Sequence, residues 1–223
     1  MKLQNQVVII TGASSGIGAT LVKAFVNEGA KVALLARRGD RLNHLVNQLG
    51  GESTFAVPAD VTNFDSIIQA RDKILARWNQ IHVLINNAGI LPPSGPIWQT
   101  TPENWHHTID TNINGVFNCI KAILPSMLDN KYGRIINMSS SMVKTPGAAV
   151  YSITKNVVDV MTEILAKELK PLNTDVIVSS LDPGWVRSEM SPEAPSDSVT
   201  VIPRALELAT LSTGSPSGMK WKC

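Results

Sequence analysis

Short apolar runs rich in β-branched residues alternate with helical patterns along almost the whole chain. Such alternation predicts a parallel sheet, because each crossover returns the chain to the same edge. Right-handed crossovers then place helices on both faces of the sheet. The sequence therefore predicts an α/β fold, a doubly wound parallel sheet in three layers, formed by a single domain over residues 1–223. The predicted strands are Val7–Ile10, Val32–Leu35, Phe55–Val57, Val83–Asn86, Arg134–Met138 and Val176–Ser180, with a short edge strand within 216–221.

Three glycines, Gly12, Gly16 and Gly18, lie between the first strand and the first helical pattern. Glycine lets the backbone turn tightly and approach a pyrophosphate, which free N–H groups at a helix N-terminus then bind. The spacing departs from the G-x-G-x-x-G fingerprint, and on the turn alone a flexible loop is the alternative. The flanking strand and helix favour a phosphate site and a sheet of the Rossmann type, with ligands at the carboxyl ends of the strands.

The residues after the second strand distinguish NAD from NADP. The segment Ala36-Arg37-Arg38 has no carboxylate where one would bind the ribose 2′-hydroxyl of NAD. Arg37, helped by Arg38, offers a planar fork of donors suited to a 2′-phosphate, and Ser14 and Ser15 add hydroxyl groups. Two solvated arginines at the start of a helix are the alternative. We therefore predict NADP(H) as the cofactor.

The charges favour neither nucleic acid nor membrane as a partner. The chain has 20 basic and 18 acidic residues, a formal net charge of +2 and no charge runs. No apolar run reaches membrane-spanning length, and the first strand follows the N-terminus too closely for a signal peptide. Cys119 and Cys223 are too few for a disulfide framework, and the histidines lack metal-site spacing. We expect a cytoplasmic protein without a metal.

Tyr151 and Lys155 are four residues apart in a helical pattern that follows the serines at 139–141. That spacing places both side chains on one helix face, where an ammonium stabilises a phenolate and lowers the tyrosine pKa from about 10 toward neutrality. Tyr151 then becomes a usable general acid. Taken alone, Tyr-x-x-x-Lys more often indicates packing beside a solvated charge.

The motifs together resemble the short-chain dehydrogenase/reductase family over nearly the whole chain. Thr-Gly-x-x-x-Gly-x-Gly at 11–18, Asn-Asn-Ala-Gly at 86–89, the serines and Tyr-x-x-x-Lys occur in the family's order. The resemblance implies an oxidoreductase that transfers hydride from NADPH to the carbonyl of a small, hydrophobic ketone or aldehyde, with alcohol oxidation as the reverse. A 3-oxoacyl thioester reductase and a non-catalytic NADP-binding regulatory protein are the alternatives.

The resemblance also implies four catalytic residues, Asn112, Ser140, Tyr151 and Lys155. The loop from Ser140 to Tyr151 is two residues shorter than usual in the family, so Ser139 and Ser141 remain candidates for the catalytic serine. A substrate loop is expected at about 185–201, where a plain surface loop is the alternative. The helices after Gly115 and Val150 correspond to the family's paired-helix interface, which implies a homodimer or homotetramer.

The remaining implied contacts are with the cofactor. Asp60 lies against the adenine ring in this interpretation, and a turn or helix-cap role is its local alternative. The implied cofactor-binding residues are Gly12, Ser14, Ser15, Gly16, Ile17, Gly18, Arg37, Arg38, Asp60, Val61, Asn87, Ala88, Gly89, Tyr151, Lys155, Pro183, Gly184, Val186 and Ser188.

Overall fold

Seven parallel strands form one sheet at the centre of the molecule, which a computed structural model describes over residues 1–223. The strands are β1 (Val7–Thr11), β2 (Lys31–Ala36), β3 (Thr54–Pro58), β4 (Val83–Asn86), β5 (Tyr132–Met138), β6 (Asp175–Asp182) and β7 (Met219–Lys222). Their order is β3-β2-β1-β4-β5-β6-β7. The strand order reverses between β1 and β4, which is where doubly wound sheets bind ligands.

The chain forms seven α-helices, of which all but α4 pack on the two faces of the sheet. They are α1 (Gly16–Asn27), α2 (Gly39–Leu49), α3 (Phe64–Trp78), α4 (Pro102–Ile109), α5 (Gly115–Asp129), α6 (Ala149–Leu169) and α7 (Ile202–Ala209). One π-helical turn, Asp110–Asn114, joins α4 to α5, and 3₁₀ turns occur at Ile97–Gln99, Lys170–Leu172 and Ser198–Val201. None of the helices combines the length and apolar character that a membrane span requires.

The core consists of two apolar clusters on opposite faces of the sheet. In β1, Val8 and Ile10 belong to one cluster and Val7 and Ile9 to the other, because successive strand residues point to opposite faces. Helices α1, α2 and α7 pack on the first face, and α3, α5 and α6 pack on the second. A strand buried on both faces reads as a continuous apolar run, which explains why the sequence predicts it.

The fold class is confirmed, with small differences at strand ends. The predicted edge strand within 216–221 begins only at Met219. Pro216 has no N–H to donate, and Gly218 has a φ of 83°, which lies outside the β region. The sixth strand extends to Asp182, so Pro183 lies directly at the carboxyl edge of the sheet.

Candidate active site

A cleft of about 510 Å³ opens at the carboxyl edge of the sheet, above β1 and β4. Most of the residues expected to bind the cofactor line it. They are Gly12, Ser14, Ser15, Gly16, Ile17, Arg37, Arg38, Asp60, Val61, Asn87, Ala88, Gly89, Tyr151, Lys155, Pro183 and Ser188. Residues as distant in the chain as Gly12 and Ser188 thus meet at one site.

Three expected cofactor contacts do not line the cleft, and each has a structural role. A Cβ on Gly18 would lie 2.2 Å from the Gly12 carbonyl oxygen, so this glycine lets α1 pack against the turn. The Gly184 N–H donates to Asp182 Oδ1 at 3.0 Å, and the backbone of Val186 pairs with Ser196. These contacts shape the rim of the cleft.

Asn87 connects the glycine turn to the end of β4. Its backbone N–H donates to Thr11 Oγ1, and its side-chain Nδ2 donates to the Thr11 carbonyl, both at 3.0 Å. Gly12 has a φ of 65°, and a Cβ there would lie 2.9 Å from Ala88 Cα. Only glycine therefore allows the two chain segments to approach so closely. The sequence analysis assigned no role to Thr11, although Thr11 begins the glycine motif.

The N-terminus of α1 faces the cleft with its charge uncompensated. Ser15 is the N-cap residue but makes no side-chain capping bond, and the first turn has no acidic residue. Helix N-terminal N–H groups carry a partial positive charge that favours anions. The turn and the helix end therefore fit the pyrophosphate of a dinucleotide.

Arg38, rather than Arg37, is directed toward the serines of the glycine turn. Its Nη2 donates to Ser14 Oγ and to Ser15 Oγ, both at 3.0 Å. Arg37 lines the cleft but is exposed and makes no side-chain hydrogen bond. The sequence analysis gave Arg37 the leading role because it could not resolve which side chain turns toward the glycine loop. Arg38 also contacts Glu189, which the sequence analysis did not select.

Asp60 has the turn role considered for it and also lines the cleft. Its Oδ1 accepts from the Thr62 N–H at 3.0 Å and from Thr62 Oγ1 at 2.8 Å, which fixes the turn after β3. Asp60 and Val61 also line the cleft beside Arg37. The turn thus holds both residues at the wall of the cleft, and their contact with an adenine ring stays a prediction.

Lys155 is buried beside Tyr151 on α6. Its Nζ donates to the Met138 carbonyl at 2.7 Å and lies 5.8 Å from the centre of the Tyr151 ring. Burial lowers the pKa of Lys155 to about 8, and the nearby charge of Asp159 opposes that shift. The ammonium is therefore positioned by the end of β5.

Burial raises the pKa of Tyr151 above its usual value of 10. The neighbouring Ser140 hydroxyl acts in the lowering direction, and the charge of Asp182 raises the pKa further. The lowering expected from Lys155 is therefore not found in this arrangement, where loss of solvent has the largest influence on the phenol. A phenol with a raised pKa stays protonated at neutral pH and is suited to donating a proton.

The three serines after β5 have different surroundings. Ser140 is buried, influences the pKa of Tyr151 and accepts a hydrogen bond from the Met142 N–H at 3.1 Å. The Ser139 hydroxyl is buried without a hydrogen-bond partner, and Ser141 is exposed. The influence on the Tyr151 pKa favours Ser140 as the serine that acts with Tyr151, although Ser139, rather than Ser140, lines the cleft.

Asn112 lies in the π-helical turn between α4 and α5, a feature that is frequent at functional sites. Its Oδ1 accepts from the Ile90 N–H at 2.8 Å, and its Nδ2 donates to the Ile90 carbonyl and to Thr154 Oγ1. These bonds use both polar atoms of the side chain, which thereby fixes the backbone after Gly89. The family resemblance implies a water on the Asn112 backbone carbonyl, and that contact stays a prediction.

Lys220, on edge strand β7, reaches the catalytic serine segment. Its Nζ donates to the Ser140 carbonyl and to Asp159 Oδ2, both at 2.8 Å. Asp159 lies one helical turn after Lys155 on α6. The sequence analysis missed both residues; the only local signal was an aspartate four positions beyond the lysine. No group of three or more His, Cys, Asp or Glu side chains is arranged to hold a metal ion.

The comparisons with known proteins agree with this geometry. Residues 6–198 match the family described as short chain dehydrogenase. An uncharacterised oxidoreductase of Staphylococcus saprophyticus is 39% identical over 192 residues, which cover 85% of this chain and 78% of that protein. A serine dehydrogenase solved with NADP+ superposes with a TM-score of 0.91 at 27% identity, covering 98% of this chain and 94% of that one. A 3-ketoacyl-(acyl-carrier-protein) reductase of Brucella melitensis, solved with NADH, has a TM-score of 0.92 at 24% identity over 99% and 97% of the two chains.

A parallel Rossmann-type sheet with a cleft at its switch point is the architecture in which oxidoreductases of this class bind dinucleotides. Because the family match covers most of the sequence, this chain belongs to the short-chain dehydrogenase/reductase family.

Proposed function

We propose that the protein reduces the carbonyl group of a small, hydrophobic ketone or aldehyde with NADPH, and oxidises the alcohol in reverse. The observation that carries this proposal is the buried Tyr151 and Lys155 pair at the cleft, with Ser140 acting on Tyr151. A general acid held protonated by burial is what carbonyl reduction requires.

A bound nicotinamide dinucleotide supplies the hydride that the carbonyl carbon accepts. Ser140 Oγ–H holds the carbonyl oxygen, and Tyr151 donates its phenolic proton to that oxygen, which completes the alcohol. Lys155 stabilises the resulting phenolate with its positive charge. A water held by the Asn112 carbonyl links Lys155 to solvent and returns the proton to Tyr151.

The preference for NADPH rests on the end of β2. Ala36 places no carboxylate there, and Arg38 with Ser14 and Ser15 forms a cluster of donors at the cleft. A guanidinium binds phosphate through its planar fork of donors. The serine dehydrogenase that resembles this chain was solved with NADP+, which is consistent with the same choice.

The preference for hydrophobic substrates rests on apolar side chains that line the same cleft as Tyr151 and Lys155. Ile90, Leu91 and Met190 line the cleft, while Trp185 on the loop rim is 57% exposed. A charged substrate without a partner would be costly to bury there. We therefore expect neutral ketones and aldehydes to be better substrates than small charged keto acids.

The test is a panel of aldehydes, ketones, quinones and 3-oxoacyl thioesters, followed by NADPH absorbance. Tyr151→Phe removes the acid with little change in volume, so turnover should fall by about a hundredfold or more while NADPH binding is retained. Near-wild-type turnover in that variant would contradict the role of Tyr151. Preferred turnover of 3-oxoacyl thioesters would replace the proposed substrate class, and NADPH binding without any turnover would favour a regulatory protein.

A further inference from the structure

Glu189, on the loop after β6, contacts the arginine that we propose for the 2′-phosphate. Its Oε2 accepts from both Nη1 and Nη2 of Arg38 at 3.1 Å, and its Oε1 accepts from Arg41 Nη1. Hydrogen bonds from Arg41 and then Arg38 hold the pKa of Glu189 below its usual range. A charged carboxylate thus shares the donors that a phosphate would need.

The position of Glu189 follows from the path of the loop. The backbones of Ser188 and Ser191 exchange two hydrogen bonds of 3.2 Å, which form a tight turn around Glu189. The Arg187 N–H donates to the Ser196 carbonyl at 2.8 Å and closes the base of the loop. A Cβ on Gly16 would lie 3.0 Å from Ser188 Cβ, so the loop rests directly on the glycine turn.

The sequence around β2 does not indicate that a carboxylate lies near Arg38. Ala36 leaves the end of β2 without an acidic group, yet the loop brings one to the same arginine from 151 residues farther along the chain. Glu189, Arg38 and Ser14 all line the same cleft. The charge around the proposed 2′-phosphate position therefore depends both on the end of β2 and on the loop after β6.

We propose that Glu189 is a specificity-determining residue that competes with the cofactor's 2′-phosphate for Arg38 and Arg41. The inference rests on the proposed use of a nicotinamide dinucleotide. Carboxylates and phosphates bind the guanidinium fork in the same way, and they repel each other when placed side by side. NADH carries a hydroxyl group at this position and meets no such competition. Glu189 therefore makes the preference for NADPH smaller than the two arginines alone would give.

The test measures dissociation constants by nucleotide fluorescence and calorimetry, independently of turnover. Glu189→Gln should bind NADPH and adenosine 2′,5′-bisphosphate about two- to fivefold more tightly, the scale of an exposed ion pair. NADH and adenosine 5′-monophosphate should bind as in the wild type. Glu193→Gln is the matched control, since Glu193 is exposed on the same loop and makes no ion pair; its affinities should not change.

Two further measurements locate the effect at the arginines. The gain from Glu189→Gln should shrink in an Arg38→Ala background, because one of the two ion pairs of Glu189 is then already broken. It should also shrink as salt is raised, because exposed charges are screened. A gain that persists undiminished in the Arg38→Ala background would overturn the proposal.

Other outcomes separate the proposal from its alternatives. Weaker binding of NADH by Glu189→Gln would indicate that Glu189 binds the ribose hydroxyls. Equal changes for both cofactors would indicate that Glu189 only holds the loop in place. Either result overturns the proposal. Absence of nucleotide binding in every protein overturns this inference together with the proposed cofactor. The expected binding pattern without carbonyl reduction overturns the proposed activity alone.

Discussion

At the scale of single residues, the buried charge of Lys155 lowers the stability of the folded protein. Its pKa falls from 10.5 to about 8 on burial, which corresponds to a cost on the order of 3 kcal/mol to the folded state at pH 7. The hydrogen bond to the Met138 carbonyl returns about 1 kcal/mol. Lys155→Met should therefore be more stable than the wild type at pH 7 by on the order of 2 kcal/mol, with turnover lost.

The pH dependence of this difference has a definite sign. Below pH 8 both the folded and the unfolded lysine carry the proton, so the folded state bears the full penalty. Between pH 8 and 10.5 the folded lysine loses its proton first, and the advantage of Lys155→Met declines. Urea unfolding at pH 7 and pH 10 measures this, with Lys167→Met, an exposed lysine on α6, as control. A variant that is less stable at pH 7 would contradict the buried-charge argument.

The two arginines after β2 make a second comparison at the residue scale. Only Arg38 bonds the serines of the glycine turn, so Arg38→Ala should lower the ratio of kcat/KM for NADPH to that for NADH by about tenfold. Arg37→Ala should lower it less, because Arg37 makes no side-chain hydrogen bond. A larger loss from Arg37→Ala would support the sequence prediction that Arg37 is the main residue that binds the 2′-phosphate.

At the scale of elements, β7 contacts the segment of the proposed catalytic serine, and we expect it to position that segment. Lys220→Met removes the bond to the Ser140 carbonyl and should lower kcat by about ten- to hundredfold, as small misplacements of reacting groups do, with KM for the cofactor unchanged. Lys220→Arg should recover much of the lost kcat. Lys222→Met, an exposed lysine on the same strand, is the control. Equal effects of the two methionine variants on kcat would show that the contact of Lys220 with Ser140 has no specific role.

Elements also show what the sequence could predict. Strands such as β1 and β4, buried on both faces, appear as apolar runs, and the motifs at their ends identified most of the cleft. The contacts of Arg38 with Glu189 and of Lys220 with Ser140 join residues 151 and 80 positions apart. Such pairs depend on the path of a loop and of an edge strand, which no local pattern specifies. For the same reason the choice between Arg37 and Arg38 required the structure.

At the scale of the whole molecule, α5 and α6 present apolar side chains to solvent. Phe117 is 49%, Val160 45% and Ile164 51% exposed, although both helices already bury another face against the sheet. Exposed apolar patches of this kind are typical of interfaces, and the same helices pair in the family. We therefore expect at least a homodimer, in which the faces of two copies cover each other.

Ile164→Glu tests the assembly. In a two-fold interface each substitution counts twice, and burying one isoleucine side chain is worth about 1.5–3 kcal/mol. The variant should therefore weaken the dimer by on the order of a hundredfold or more, since a buried charge adds its own cost. Val199→Glu is the control, because Val199 is 54% exposed and lies in the 3₁₀ turn before α7, away from α5 and α6 in the chain. Sedimentation at micromolar concentration should give a dimer or tetramer for the wild type and the control, and a monomer for Ile164→Glu; a monomeric wild type would contradict the interface.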